Sequence, residues 1–246
     1  HPRAPDHDRR HDPRHLTAPG RARGRPPRPP PGRSGPGLAS RARPGFHRGV
    51  DAPKPRVFAV TTDLAMTGSK RVLVDGAVGL SRARFHSGVL LLSDVDEADP
   101  LRRELARGGV DVHHVRVRSR LDVRGLLALR RWILEVGRPD VLHTHCARSA
   151  GVVRVACASV PRARRPRVVV HFHGTVSRRA LRWKHRVLDR VLRGATSMVL
   201  APTQHSAERG ARVHAFRGLP GRVVPNGVDL GRVARAARPV ESVRAG

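Results

Sequence analysis

From Arg56 onward the chain alternates short apolar runs with longer amphipathic stretches. The runs at 57–61, 88–92, 110–115, 140–144, 167–172, 197–201 and 222–224 are dominated by Val and Leu. Several are continuous rather than alternating, as in parallel strands covered on both faces. Between them, 69–82, 100–107, 123–137, 147–159, 178–193 and 203–213 carry apolar residues at helical spacing. Strand and helix alternating through short connections predict an α/β fold: a doubly wound, mostly parallel, Rossmann-like sheet with right-handed crossovers. The punctuation agrees. Pro100 and Thr203 sit at or near helix starts, and Gly137 and Gly194 at helix ends, where a left-handed residue is often needed. Arg138 precedes Pro139 and is thereby steered out of the helical region into the strand that follows.

Residues 1–54 have a different texture. They are rich in Arg, Pro, Gly and His and hold almost no large apolar side chains. Such a segment cannot bury enough surface to offset its ordering entropy, so it reads as a disordered basic tail. Overall the chain is 39% apolar, with five Phe, two Trp and no Tyr, so its core rests on Val, Leu, Ala and Ile. A net charge of +30 brings nucleic acid or an anionic membrane to mind. The basic residues are nearly all Arg and are spread along the whole chain, as a GC-rich coding bias would leave them; the lysines are Lys54, Lys70 and Lys184. Cys146 and Cys157 form no C-x-x-C pair, which argues against a disulfide framework or zinc ribbon and fits a reducing, cytoplasmic setting. No apolar run reaches the ~18 residues of a membrane span.

Four segments carry chemical potential. The turn after the first strand, Thr61 to Arg71, leads through Gly68 into a helix start, where free N–H groups can meet phosphate or another polar ligand. It is neither G-x-G-x-x-G nor a Walker loop. Asp140-Val141-Leu142-His143-Thr144-His145 and Val168-Val169-Val170-His171-Phe172-His173-Gly174-Thr175 both end strands, and open α/β sheets bind ligands at that end. In each pair the two histidines point to one side of the sheet. Four histidines can ligate zinc if all converge, but no carboxylate or Cys stands at ligand spacing from them, and no metal is assigned. His143 and His171 read as satisfied polar residues lining the crevice. His173 is the best placed to face substrate, because Gly174 permits close approach. Last, Val224-Pro225-Asn226-Gly227 marks a turn.

Taken together and in order, these segments resemble family 4 glycosyltransferases, retaining enzymes of the GT-B fold. The resemblance rests on "TTDLAMTGSKRVLVDGAVGL", "RPDVLHTHCARSAG", "RVVVHFHGT", "ATSMVLAPTQHSAERG" and "RVVPNGVDL" and covers residues 56–230. It implies that residues 55–230 are the N-terminal, acceptor-side half, with His173 as the active-site histidine near the transferred sugar. It further implies substrate contacts from Gly68, Ser69 and Lys70, from His145 and Arg148, and from Gly174 and Thr175. Asn226 and Gly227 would face the interdomain edge. The co-substrate would be a nucleotide sugar and the acceptor a hydroxyl on a glycan, a lipid-linked molecule or a small molecule, with no cofactor.

The sequence departs from the family in two places. The loop reads Thr67-Gly68-Ser69-Lys70, with Lys where the family usually has Glu. None of Glu97, Glu104, Glu135, Glu208 and Glu241 forms the Glu-x7-Glu pair of the family's donor domain. The expectation is that 231–246 is a stub where the donor-binding domain would begin, and that the chain is inactive alone. Two alternatives differ in class: a non-catalytic basic protein that binds nucleic acid, and a pseudoenzyme that uses only the acceptor cleft. The first lacks any helix-turn-helix, zinc finger or aromatic-bearing RNA-binding sheet. Residues 178–193 also form a basic amphipathic stripe. It either packs on the sheet or touches anionic lipid at the inner membrane surface.

Overall fold

The computed structural model describes residues 53–80, 83–94, 96–173, 183–213 and 216–236, with backbone alone at 183–186, 213, 235 and 236. These residues belong to one compact unit. Seven strands form one sheet: β1 (Arg56–Thr61), β2 (His86–Leu91), β3 (Asp111–His114), β4 (Val141–Thr144), β5 (Arg167–His171), β6 (Met198–Ala201) and β7 (Gly221–Val223). Their order is β3-β2-β1-β4-β5-β6-β7, and every neighbouring pair is parallel. The helices are α1 (Gly68–Gly79), α2 (Pro100–Arg107), α3 (Val123–Arg131), α4 (Ala147–Ala158), α5 (Trp183–Val191), α6 (Gln204–Val213) and α7 (Leu230–Ala236). The expected doubly wound α/β fold is present, and the sheet is parallel throughout the described residues. The basic tail, apart from its last two residues, lies outside them, as do Gly174 and Thr175.

Register explains the core. Phe58 and Val60 of β1 stand beside Leu142 and Thr144 of β4, which pair in turn with Val168 and Val170 of β5. Their apolar members pack with Leu129, Trp132, Val152, Val153 and Ala156 from α3 and its extension and from α4. Ala59, Val89 and Leu91 point to the opposite face and pack with Leu73, Val74, Leu101 and Leu105 of α1 and α2. Continuous Val and Leu runs are thus buried from both sides.

The expected helix 123–137 is not uniform. After Arg131 it widens into a π turn, Trp132–Val136, closed by Gly137 N–H donating to the Trp132 carbonyl at 2.8 Å. The indole packs edge-on against Phe58 with ring centroids 5.0 Å apart, and its Nε1 donates to His113 Nδ1 at 3.2 Å. A Cβ on Gly137 would stand 2.3 Å from that indole, so a glycine is needed there for space. The left-handed residue is Arg138, with φ 42°, whereas Gly137 is right-handed at −69°. The expectation of a left-handed Gly137 is corrected accordingly. Helix α7 was not expected, since 231–246 read as a stub. Asp229 caps it by accepting from Arg232 N–H at 2.9 Å, and the Arg232 guanidinium reaches Asp75 of α1 at 3.4 Å.

Helix α5 is fixed by a buried ion pair. Asp189 bonds the Arg154 guanidinium of α4, and both side chains are more than 90% buried. Arg154 also lies over the Phe216 ring at 5.6 Å. The stripe on α5 is divided: Leu192 just beyond it is buried, but Val187 and Val191 are exposed. An Asp189→Ala variant is expected to lose about 3–5 kcal/mol in chemical denaturation, because the guanidinium stays buried without its counter-charge. The Arg154→Met, Asp189→Leu double variant should recover most of that loss.

Candidate functional site

The strand order reverses between β1 and β4, so the segments leaving these two neighbours diverge to opposite faces and open a crevice at their carboxyl ends. On the β1 side, Asp63 accepts from the Thr62 hydroxyl at 2.6 Å and from Ala65 N–H at 3.2 Å. Lys70, in the first turn of α1, folds back into the crevice floor. Its Nζ donates to Thr61 Oγ1 and stands 3.3 Å from Asp63 Oδ1. Burial raises the Asp63 pKa, but the Thr62 hydrogen bond and the Lys70 charge outweigh it and hold the carboxyl below its ordinary value.

The start of α1 has no side-chain cap. Asp99, Asp122, Cys146, Thr203 and Asp229 cap α2, α3, α4, α6 and α7, so α1 stands apart among the helices whose starts are described. Its first amides and the positive end of its dipole are available to an anion. On the β4 side, Cys146 and Ser149 form a reciprocal capping box. The Cys146 thiol lies 4.0 Å from Thr62 Oγ1, closing the crevice floor across the two strands. Burial pushes this thiol up, but the Ser149 hydrogen bonds and Lys70 bring it below its ordinary pKa.

The four histidines converge. His143 and His145 leave β4, and His171 and His173 leave β5, on one face of the sheet. Ring centroids are 4.3 Å apart for His143–His145, 5.3 Å for His143–His171, 5.2 Å for His145–His171 and 4.1 Å for His171–His173. His173 Nε2 lies 3.4 Å from His145 Nδ1. His143, His145 and His171 each bring a ring nitrogen within 4.8 Å of the others, a grouping able to hold a metal ion. The sequence reading of His143 and His171 as satisfied polar residues is corrected. His143 Nε2 and both His171 nitrogens are buried without a hydrogen-bond partner among the described residues. Burial, with their histidine neighbours, drives His143 to about 4 and His171 to about 3. The same two causes, joined by Lys70, push His145 well down, and burial with Lys70 lowers His173. All four shifts favour the neutral imidazoles.

Of the other residues singled out in the sequence, Gly68 opens α1 and a Cβ there would meet nothing within 4 Å. Ser69 shares a hydroxyl contact with Thr67 at 3.2 Å. Arg148 is exposed on the first turn of α4 and donates to the Arg118 carbonyl. Asn226 and Gly227 are exposed in the segment that joins β7 to α7. The structure thus gathers Lys70, His145 and His173. Sequence reasoning passed over Thr61, Asp63 and Cys146. Asp63 had a legible signal, a short acceptor two residues past a strand. Cys146 had none, because a thiol is an unusual helix cap.

Comparison with known proteins bears on the whole unit. The sequence profile described as Glycosyltransferase Family 4 matches residues 66–232. Among solved structures, HepE of Anabaena in complex with UDP is similar, at 18% identity and a TM-score of 0.52, over 72% of this chain and 45% of HepE. The lipopolysaccharide outer core galactosyltransferase WaaB is similar at 14% identity and a TM-score of 0.50, over 72% of this chain and 46% of WaaB. The chain therefore spans a little under half the length of these relatives. Comparison with curated proteins finds no match.

The buried histidines couple stability to pH. In the unfolded chain they take up protons below about pH 6.5, while folded His143 and His171 refuse them until about pH 4 and 3. Stability is fully present above the unfolded value and is lost as pH falls towards the folded ones. In chelator-containing buffer, Tm is expected to fall between about pH 7 and pH 5, before carboxylates titrate. The slope should flatten in the His143→Gln, His171→Gln double variant, and a Tm constant across that window would contradict the burial argument.

Proposed function

The chain belongs to glycosyltransferase family 4, and from that premise we propose that its crevice is the acceptor side of an enzyme moving a hexose from a nucleotide sugar to a hydroxyl, with retention at the anomeric carbon. The observation that carries this reading is the uncapped start of α1 at the strand-order reversal, with Lys70, His145 and His173 around it. The free amides and dipole of α1 suit the charge that develops on a departing diphosphate. HepE, with a similar fold, was solved with UDP, which supports a nucleoside-diphosphate donor. We assign donor binding to a second Rossmann-like domain, in keeping with the 45% of HepE that this chain covers.

The roles of the side chains follow from their environments. His173 is half-buried and held neutral by burial and by Lys70, so it can accept from or donate to a sugar hydroxyl without carrying charge into the site. His145 Nδ1 faces it and fixes its orientation. Lys70 supplies fixed positive charge at the crevice floor, anchored by Thr61 and Asp63. Gly174 and Thr175, substrate contacts by the family resemblance, lie outside the described residues.

The test uses this chain together with its donor domain and a panel of nucleotide sugars and glycan or lipid-linked acceptors. Acceptor-dependent release of nucleoside diphosphate is expected, with the donor's anomeric configuration kept in the product. His173→Ala should lower kcat/KM on the order of 10²-fold, as removal of one positioned donor does elsewhere. Glycan binding without release from any donor would favour the recognition-only reading.

A second reading concerns location. No helix among the described residues is long and apolar enough to cross a membrane. Val187 and Val191 of α5 are nevertheless exposed beside Arg190, a pairing that suits the surface of an anionic bilayer. Co-sedimentation with anionic vesicles at low salt, reduced in the Val187→Ser, Val191→Ser variant, is the expected result. Absence of binding at low salt would end this reading.

A further inference from the structure

The geometry points to a binding site for one divalent ion of the zinc class, held by His143, His145 and His171 where β4 and β5 end beneath the crevice. This inference stands on the histidine cluster and does not depend on sugar transfer. It departs from the sequence reading, which assigned no metal because spacing alone could not show that the histidines converge.

Three observations carry it. First, one nitrogen from each of the three imidazoles lies within 4.8 Å of the others. A tetrahedral zinc with Zn–N about 2.0–2.1 Å would space them about 3.4 Å apart, so closure needs shifts on the order of 1 Å. The rings of His143 and His171 lie 6° from parallel, and at least one must turn about its Cβ–Cγ bond, a torsion with a broad profile. Second, His143 Nε2 and both nitrogens of His171 are buried without a hydrogen-bond partner among the described residues, and His171 is 94% buried. Burying such groups is costly unless something satisfies them, and a coordinated ion would. Third, the donors are all imidazole, which suits zinc, copper, nickel or cobalt and not magnesium or calcium.

The position of His145 gives the ion a further role. Its Nδ1 faces His173 Nε2 at 3.4 Å, so Nε2 is the atom left for the ion. Coordination there puts the proton on Nδ1, which then donates to His173 Nε2. His173 in turn carries its own proton on Nδ1. The ion would thus set the tautomer of the crevice histidine from behind, as outer-shell partners of metal ligands do in reverse. Lys70 is the nearby opposing charge, and Asp63 offsets it at 3.3 Å.

The test titrates the full chain, stripped with chelator, with Co²⁺ alone and follows visible absorption. One equivalent per chain with the d–d bands of a tetrahedral site is expected, together with a rise of several degrees in Tm. The His143→Gln, His171→Gln variant should lose the bands, while His205→Gln, an exposed histidine on α6, should keep them. X-ray absorption of the zinc-loaded wild type, which needs no variant to fold, should show scattering from at least three imidazoles. Absence of tetrahedral bands in the wild type, or bands of equal strength in a folded double variant, would overturn the site. The second outcome would place binding on other histidines of the chain.

Discussion

A chain that leaves β3 at one edge and returns to pair beside β1 forces two neighbouring strands to send their chains to opposite faces. Everything at the carboxyl end of the sheet follows from that divergence. At the ends of β1 and β4 short polar side chains meet, as Thr62 and Cys146 do. On one side stands α1, whose first amides lack a side-chain cap. On the other stands α4, whose amides are satisfied by Cys146 and Ser149. Two helix starts of the same dipole sense therefore present different faces to a ligand, one open and one closed.

The fold was largely legible because parallel strands buried on both faces announce themselves as Val and Leu runs. Every predicted strand was found with shifts of one or two residues, from β1 to the short β7. Failures came where packing overrode periodicity. The spacing in 123–137 reads as one continuous helix, and nothing local announces that Trp132 swings against Phe58 and widens the last turn. Gly137 looked like a stop residue for conformational reasons, but the indole needs its missing side chain, and the left-handed turn passes to Arg138. Helix α7 was hidden because its contact, Arg232 to Asp75, joins residues far apart in sequence.

The site was legible by residue type but not by relation. Alternation placed His143 with His145 and His171 with His173, one pair on each strand. Only the parallel register between β4 and β5 brings the pairs into ring contact and leaves His143 Nε2 and both His171 nitrogens without partners among the described residues. Likewise the sequence flagged Lys70 as a departure at a helix start and, through the resemblance, as a substrate contact. The structure turns it inward to Thr61 and Asp63, residues that sequence reasoning had not joined to it. In a chain of formal charge +30 the crevice thus holds imidazoles whose burial favours the neutral form, beside the Lys70 ammonium anchored at Thr61 and Asp63.

Lys70 is one of three lysines among 49 basic residues. Its buried seat between one hydroxyl and one carboxylate suits a compact ammonium with three rotatable donors. A guanidinium is planar, larger and carries five donors in a fixed fork, more than this seat has acceptors to meet. At the floor of the crevice, steric fit and hydrogen bonding therefore favour lysine, in a chain whose other basic residues are nearly all arginine.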